Sequence, residues 1–208
     1  MPDSQESTNF GCYLYLIQNS GKLLNFGLSC ETNKLIKNLN ENDYENQQED
    51  AVLLISLCSE HECYFTTSLD NNGATVLKQW STKTRNLLST HKDFLSNNEE
   101  HITALKTSPD SLNLYLITNQ GNLQEFSVPN RKFNDQSHIL SESEILSACI
   151  STNNEFLFCG LSDGRLLQFS LSKKEIVKDY GKIHDHGITI IDKTSDGMFI
   201  FTGDNSSK

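Results

Sequence analysis

The sequence has no long apolar run and no apolar leader. No segment approaches the roughly 18 consecutive apolar residues that a membrane-spanning helix needs, which predicts a protein without a membrane span. The N-terminal stretch MPDSQESTNF is polar and acidic, and it lacks the cationic start and the apolar centre of a secretory signal. We therefore expect residues 1–9 to form a flexible tail in front of a folded region, residues 10–208.

Basic side chains are scarce as well. The chain carries 17 Lys and Arg against 27 Asp and Glu, which gives a formal net charge of −10 at pH 7. Contacts to phosphate groups need a basic surface, so this balance argues against a nucleic-acid-binding protein. It permits a basic protein or peptide as partner.

Paired cysteine motifs are absent too. The six cysteines include no CxxC pair, and most of them lie inside apolar runs. Because no secretory signal precedes them, reduced and buried thiols are the favoured interpretation. This composition predicts an intracellular, cytoplasmic protein.

What the sequence does contain is a repeat, and residues 145–177 show it best. Four short apolar runs alternate there with polar turns, and none has room for a long helix. Asp163 and Gly164 separate the second run from the third, and an Asp-Gly pair between alternating apolar runs is a strong β-hairpin signal. This stretch predicts a four-stranded antiparallel unit.

The same unit recurs along the chain. An aromatic residue follows a glycine-containing turn at four places, at intervals of 54, 46 and 43 residues. These aromatic positions are Phe26, Trp80, Phe126 and Phe169. A period of about 40–45 residues with four strands in each repeat is typical of propeller blades. The first interval is longer because a polar, acidic segment at 41–50 is inserted, which we interpret as a flexible loop.

These motifs resemble the tryptophan–aspartate (WD) repeat family of β-propellers over nearly the full length of the chain. The matching positions are Ser108-Pro109-Asp110, Asp163-Gly164, Trp80 and His184. The chain departs from the family pattern at Ser81, where the family has Asp, and at Ile183, where it has Gly. The repeat positions to which the resemblance assigns a structural role are Trp80, Phe126, Asp163, Gly164, Phe169 and His184.

The resemblance implies an all-β propeller of which about four blades are present. Three complete blades are expected at 52–90, 102–140 and 145–180, with a partial blade at each end. Closed rings of the family usually have seven blades, or roughly 300 residues at this period. We therefore expect an incomplete ring, which a missing segment or another propeller segment would complete.

The function that the resemblance implies is a non-enzymatic protein-interaction scaffold or adaptor in a multiprotein complex. The alternative is a regulatory or targeting propeller domain of a longer enzyme, with catalysis outside these residues. Neither interpretation requires a cofactor. Cys58, His61 and Cys63 could be read as metal ligands, but no fourth ligand is evident, and a turn between two strands explains them better. His184 and His186 are better explained by the structural His of the repeat and a surface loop.

Acidic residues cluster in the loops that lead from an outer strand to the inner strand of the next blade. In the resembled fold these loops share one face of the ring. The candidate partner-binding residues on this face are Glu99, Glu100, Glu142, Glu144 and Asp185. The hypothesis is that this acidic face docks a basic peptide or protein, because complementary charge steers and selects partners. The alternative is a set of ordinary solvated loops.

Overall fold

The computed structural model describes residues 10–17, 23–29, 35–37, 51–84, 86–95, 97 and 99–206. The chain divides into two compact units, Met1–Leu53 and Leu54–Lys208. The predicted tail at 1–9 and the predicted loop at 41–50 lie outside the described residues. All regular structure in the described residues is β-strand.

The first unit contains one antiparallel sheet. Its strands are β1 (Phe10–Ile17), β2 (Leu23–Ser29) and β3 (Leu35–Lys37), which lie in the order β1-β2-β3. The backbone of Phe26, the first predicted aromatic position, lies on the middle strand and pairs with that of Leu14 and Lys37.

The second unit contains four antiparallel sheets. The first strand of the first of these sheets begins two residues before the boundary between the units. The strands of this sheet are β4 (Val52–Cys58), β5 (Cys63–Leu69), β6 (Thr75–Ser81) and β7 (Leu87–His91). The next sheet has β8 (Ile102–Thr107), β9 (Asn113–Thr118), β10 (Asn122–Ser127) and an outer strand in two pieces, β11 (Lys132–Phe133) and β12 (His138–Ile139). The third has β13 (Ile145–Ile150), β14 (Phe156–Leu161), β15 (Arg165–Ser170) and β16 (Glu175–Lys182). The last has β17 (Ile188–Lys193) and β18 (Ile200–Asp204).

Strands follow each other in chain order in every sheet, each paired with the one before it, except that β11 and β12 both pair with β10. This simple meander needs only short hairpin turns, and one such turn contains Asp163 and Gly164, as predicted. The prediction of an all-β, propeller-type fold with three complete blades and a partial blade at each end is confirmed.

The core of the second unit lies between successive sheets. One apolar cluster joins the β4–β7 sheet to the β8–β12 sheet, a second joins the β8–β12 sheet to the β13–β16 sheet, and a third joins the last two sheets. Phe65 and Phe126 show the packing, since their rings meet edge to face at 5.7 Å between centroids and both are fully buried. Burying one such side chain stabilises a fold by roughly 2–3 kcal/mol. Sheet-to-sheet packing therefore provides the main stabilisation.

A hydroxyl group fixes the first hairpin turn in three of the four sheets. The side-chain oxygens of Ser108, Ser151 and Thr194 each accept a hydrogen bond from the backbone N–H five residues later, at 2.9, 2.9 and 3.2 Å. A short polar side chain that bonds the local backbone is a common turn device. In the first of these sheets Cys58 takes the equivalent place, at the end of β4.

Candidate functional site

The predicted acidic residues lie at one end of the second unit, where the second hairpin turn of a sheet is hydrogen-bonded to the loop that enters the same sheet. Ser162 N–H donates to the Glu144 carbonyl at 2.9 Å, and Asn119 N–H donates to the His101 carbonyl at 3.0 Å. The β9–β10 and β14–β15 turns are thereby tied to the loops before β8 and β13. We call this end of the sheets the acidic end.

Four of the five predicted docking residues are exposed at the acidic end: Glu99, Glu142, Glu144 and Asp185. None of these four carboxylates has an ion-pair partner in the described part of the chain. Their charges are therefore available to a ligand.

Glu100 departs from the prediction. Its side chain is only 2% exposed and accepts a hydrogen bond from Asn122 Nδ2 at 2.8 Å. A buried carboxylate with a protein partner stabilises the loop and is not offered to a docking protein. We therefore remove Glu100 from the predicted docking set.

One cation interrupts the acidic end. Arg165 donates from Nε to Asp163 Oδ2 at 2.9 Å and from Nη1 to Asp179 Oδ2 at 3.1 Å. Burial acts to raise the pKa of Asp163, but hydrogen bonds from Arg165 and Ser143 outweigh it and hold that pKa below its usual value. The negative charge of the predicted turn residue Asp163 is thus compensated by Arg165 within the fold. The carboxylates without an ion-pair partner at this end are those on the loops.

His184 connects the loop before β17 to strand β18. Its Nε2 lies 2.8 Å from Thr202 Oγ1, and its Nδ1 lies 3.6 Å from Asp204 Oδ2. A hydroxyl, an imidazole and a carboxylate in a row also compose a nucleophilic triad. Here the second distance exceeds a hydrogen bond, and Asp204 accepts instead from the Ser206 hydroxyl at 2.6 Å. The His184–Thr202 contact therefore connects the loop to the strand and does not form a catalytic triad with Asp204.

The predicted aromatic positions are inside the sheets. Trp80 donates from Nε1 to Thr66 Oγ1 at 2.9 Å, across the β5–β6 pair. Phe126 and Phe169 are buried without a polar partner, which their side chains do not need. These residues form the blades and do not reach a ligand surface.

Cys58 and Cys63 face each other across the β4–β5 turn. A hydrogen bond from the Cys63 thiol lowers the pKa of Cys58 to about 6, and the same contact raises the pKa of Cys63. Gln79 Nε2 lies 3.3 Å from the Cys63 sulfur. Within the described residues no group of three or more His, Cys, Asp or Glu side chains is arranged to hold a metal ion.

A groove of about 600 Å³ lies at the other end of the sheets, and the sequence did not indicate it. The last residues of β8, β13 and β17 line it together with the turns that follow them. Two lysines, Lys106 and Lys193, are part of this lining. A sequence signal for the groove does exist: a charged residue stands near the end of an otherwise apolar inner strand, as Lys106 does in β8 and Lys193 in β17. We call this site the lysine groove.

Repeated antiparallel sheets with exposed connecting loops define a blade-type repeat protein. No protein-family model matches the chain. It is 30% identical over 126 residues to WD repeat-containing protein 55 of Arabidopsis thaliana, a match that covers 61% of this chain and 33% of that protein. The chain thus spans about a third of the length of this curated relative. In the described residues no helix is long and apolar enough to cross a membrane.

Proposed function

We propose that this chain is a WD-repeat β-propeller segment that acts as a protein-interaction scaffold without catalysis of its own. The similarity to a WD repeat-containing protein supports the family and a general interaction role. Rigid sheets that present loops at one end suit such a role, because little ordering cost is added when a partner binds. Four cysteines in the described part of the chain, Cys58, Cys63, Cys149 and Cys159, are free and buried, which supports a cytoplasmic setting.

We propose further that the acidic end docks a basic peptide or protein. The observation that carries this proposal is the set of four exposed carboxylates without ion-pair partners, on three loops that enter consecutive sheets. Hydrogen bonds to neighbouring turns hold all three of these loops in place. A ligand with lysine or arginine side chains would meet several fixed charges at once.

The test is binding of a fluorescent Lys- and Arg-rich peptide, measured by anisotropy at low and physiological salt. The variant neutralises the four exposed carboxylates, namely Glu99→Gln, Glu142→Gln, Glu144→Gln and Asp185→Asn. Affinity should fall by about fourfold or more, since four exposed charge pairs at roughly 0.2–1 kcal/mol each contribute about 0.8–4 kcal/mol together. The matched control makes the same change in net charge at exposed positions elsewhere, with Glu60→Gln, Asp135→Asn, Glu155→Gln and Glu175→Gln. Equal loss in both variants would mean that only the overall charge matters.

Another propeller segment is the partner that we propose for the last sheet. In the described residues β18 pairs only with β17, and large apolar side chains on these strands and their turn are exposed. Phe199 and Phe201 are 62% and 60% exposed. Large apolar side chains exposed together usually mark a surface that binds another protein segment. Phe201→Ser should abolish capture of such a segment, and unchanged capture would refute this proposal.

A further inference from the structure

The lysine groove lies opposite the acidic end of the same sheets. Strands β8, β13 and β17 each begin at the acidic end and run to the groove, so the two are separated by the length of a six-residue strand, about 17–20 Å. We propose that this groove binds an acidic segment of a protein partner, with Lys106 and Lys193 as its charge contacts. The proposal concerns a second site and stands whether or not the acidic end docks a basic ligand.

The strands that end at the groove are packed on each other along their length. Ser147 on β13 donates to the carbonyl of Ile188 on β17 at 2.6 Å, so these inner strands are tied together. The volume of about 600 Å³ falls in the range of roughly 300–1,000 Å³ that is usual for ligand sites. The site is therefore formed before any ligand arrives.

Charge in the groove is not balanced. Lys106 and Lys193 are both half-buried, and neither has an ion-pair partner in the described part of the chain. The carboxylate in the lining is that of Asp192, whose Oδ1 accepts a hydrogen bond from the Lys193 backbone N–H at 2.8 Å. Two half-buried lysines without an ion-pair partner in the described part of the chain can pair with carboxylates of an acidic ligand.

The two lysines act on one place. Cys149 lies in the same lining, where burial raises the pKa of its thiol while the charges of Lys193 and Lys106 act to lower it. Both lysines line the same groove, so one extended ligand segment in it can contact both side chains. Ile150 and the aliphatic stems of the two lysines add apolar surface to the lining.

A peptide suits this site better than a polyanion does. Two lysines on a chain of net charge −10 cannot neutralise the many phosphates of a nucleic acid. Ile190 lines the groove and is 65% exposed, so an apolar side chain beside the acidic ones would find a contact. The expected ligand is a short segment that combines Asp or Glu with aliphatic residues.

The experiment measures binding of a fluorescent peptide of alternating Glu and Leu to the full chain, next to the same peptide with Gln in place of Glu. The Glu peptide should bind at least about tenfold more tightly at low salt, and salt should weaken it. Lys106→Gln with Lys193→Gln should reduce its affinity about tenfold. The matched control, Lys132→Gln with Lys173→Gln, removes two exposed lysines outside the groove and should leave binding almost unchanged.

Two further variants separate charge from packing. Lys106→Met with Lys193→Met keeps the apolar stems and should lose binding as the Gln variant does. Lys106→Arg with Lys193→Arg keeps the charge and should retain it. Equal binding of the Glu and Gln peptides, or an unchanged affinity in the Met variant, would overturn the proposal.

Inorganic phosphate distinguishes the remaining possibility. If phosphate at low millimolar concentration displaces the peptide completely, the groove is a site for small anions and the proposed peptide ligand is wrong. Weak competition that follows ionic strength alone supports the peptide. Because the variants that weaken the basic peptide lie at the acidic end, failure of one proposal can be told from failure of the other.

Discussion

Gly164 offers the sharpest test of how the second hairpin turn is held. Its φ is +85°, and a Cβ at this position would lie 2.1 Å from the carbonyl oxygen of His184. Alanine would therefore meet two separate costs. A left-handed backbone costs a non-glycine residue roughly 1–2 kcal/mol, and the overlap with a backbone atom, which cannot rotate away, adds about 1–3 kcal/mol.

The matched control is Gly73→Ala. Gly73 has a similar φ of +79°, but a Cβ there meets nothing within 4 Å. It should therefore lose only the backbone cost, roughly 1–2 kcal/mol. Gly164→Ala should lose about 2–5 kcal/mol in free energy of unfolding, the sum of both costs.

Urea unfolding followed by tryptophan fluorescence and by circular dichroism provides the assay, since Trp80 lies in the same unit. Coincident transitions would justify a two-state treatment. If Gly164→Ala loses no more stability than Gly73→Ala, the turn at Gly164 does not pack tightly against the loop at His184. The claim that the loops of the acidic end are held rigidly would then be wrong.

Three further predictions concern single side chains. The pKa of Cys58 is about 6 in the folded protein and 9.0 in the unfolded chain, so the free energy of unfolding should rise with pH between these values. Cys58→Ser should remove that rise, which urea midpoints at pH 6 and pH 8.5 would measure. An equal change in midpoint for the wild type and the variant would contradict this prediction. Ser147→Ala should cost about 1–3 kcal/mol because it leaves the Ile188 carbonyl without its buried donor, whereas a loss below about 0.5 kcal/mol in the same urea assay would show that water replaces it. Arg165→Gln should raise the pKa of Asp163 with little effect on stability, as followed by carboxyl NMR titration, and an unmoved pKa would assign the shift to the turn backbone.

Local signals made the fold predictable. Asp163 and Gly164 specify a hairpin through backbone conformations that few other residues adopt, and an aromatic residue at a constant distance from each turn fixes the phase. The outer strand of the β8–β12 sheet was less readable. Residues 134–137 divide it into two strands of two residues each, β11 and β12. These four residues are polar and interrupt the alternation of apolar and polar residues that a strand would show.

The site was predictable only in part because burial depends on contacts between distant residues. Glu100 stands next to Glu99 in a polar run and looks equally exposed, yet Asn122, 22 positions away, covers it. The lysine groove is assembled from strands that are more than 40 residues apart, and no local pattern identifies such a neighbour relation. Cys58 could have been recognised as a substitute for a turn hydroxyl by aligning it with Ser108 and Ser151.

The two proposed sites should act independently, and the reason is their position on the same strands. Each inner strand places its first residue at the acidic end and its last at the lysine groove, about 17–20 Å away. That distance is about twice the Debye length at physiological salt, so a charge bound at one end is largely screened at the other. The strands between them are packed in buried clusters, and close packing of this kind opposes a ligand-driven rearrangement. Saturating the protein with the basic peptide should therefore change the affinity for the acidic peptide less than about twofold, once direct pairing of the peptides is subtracted; a larger effect would require a conformational link through β8, β13 or β17.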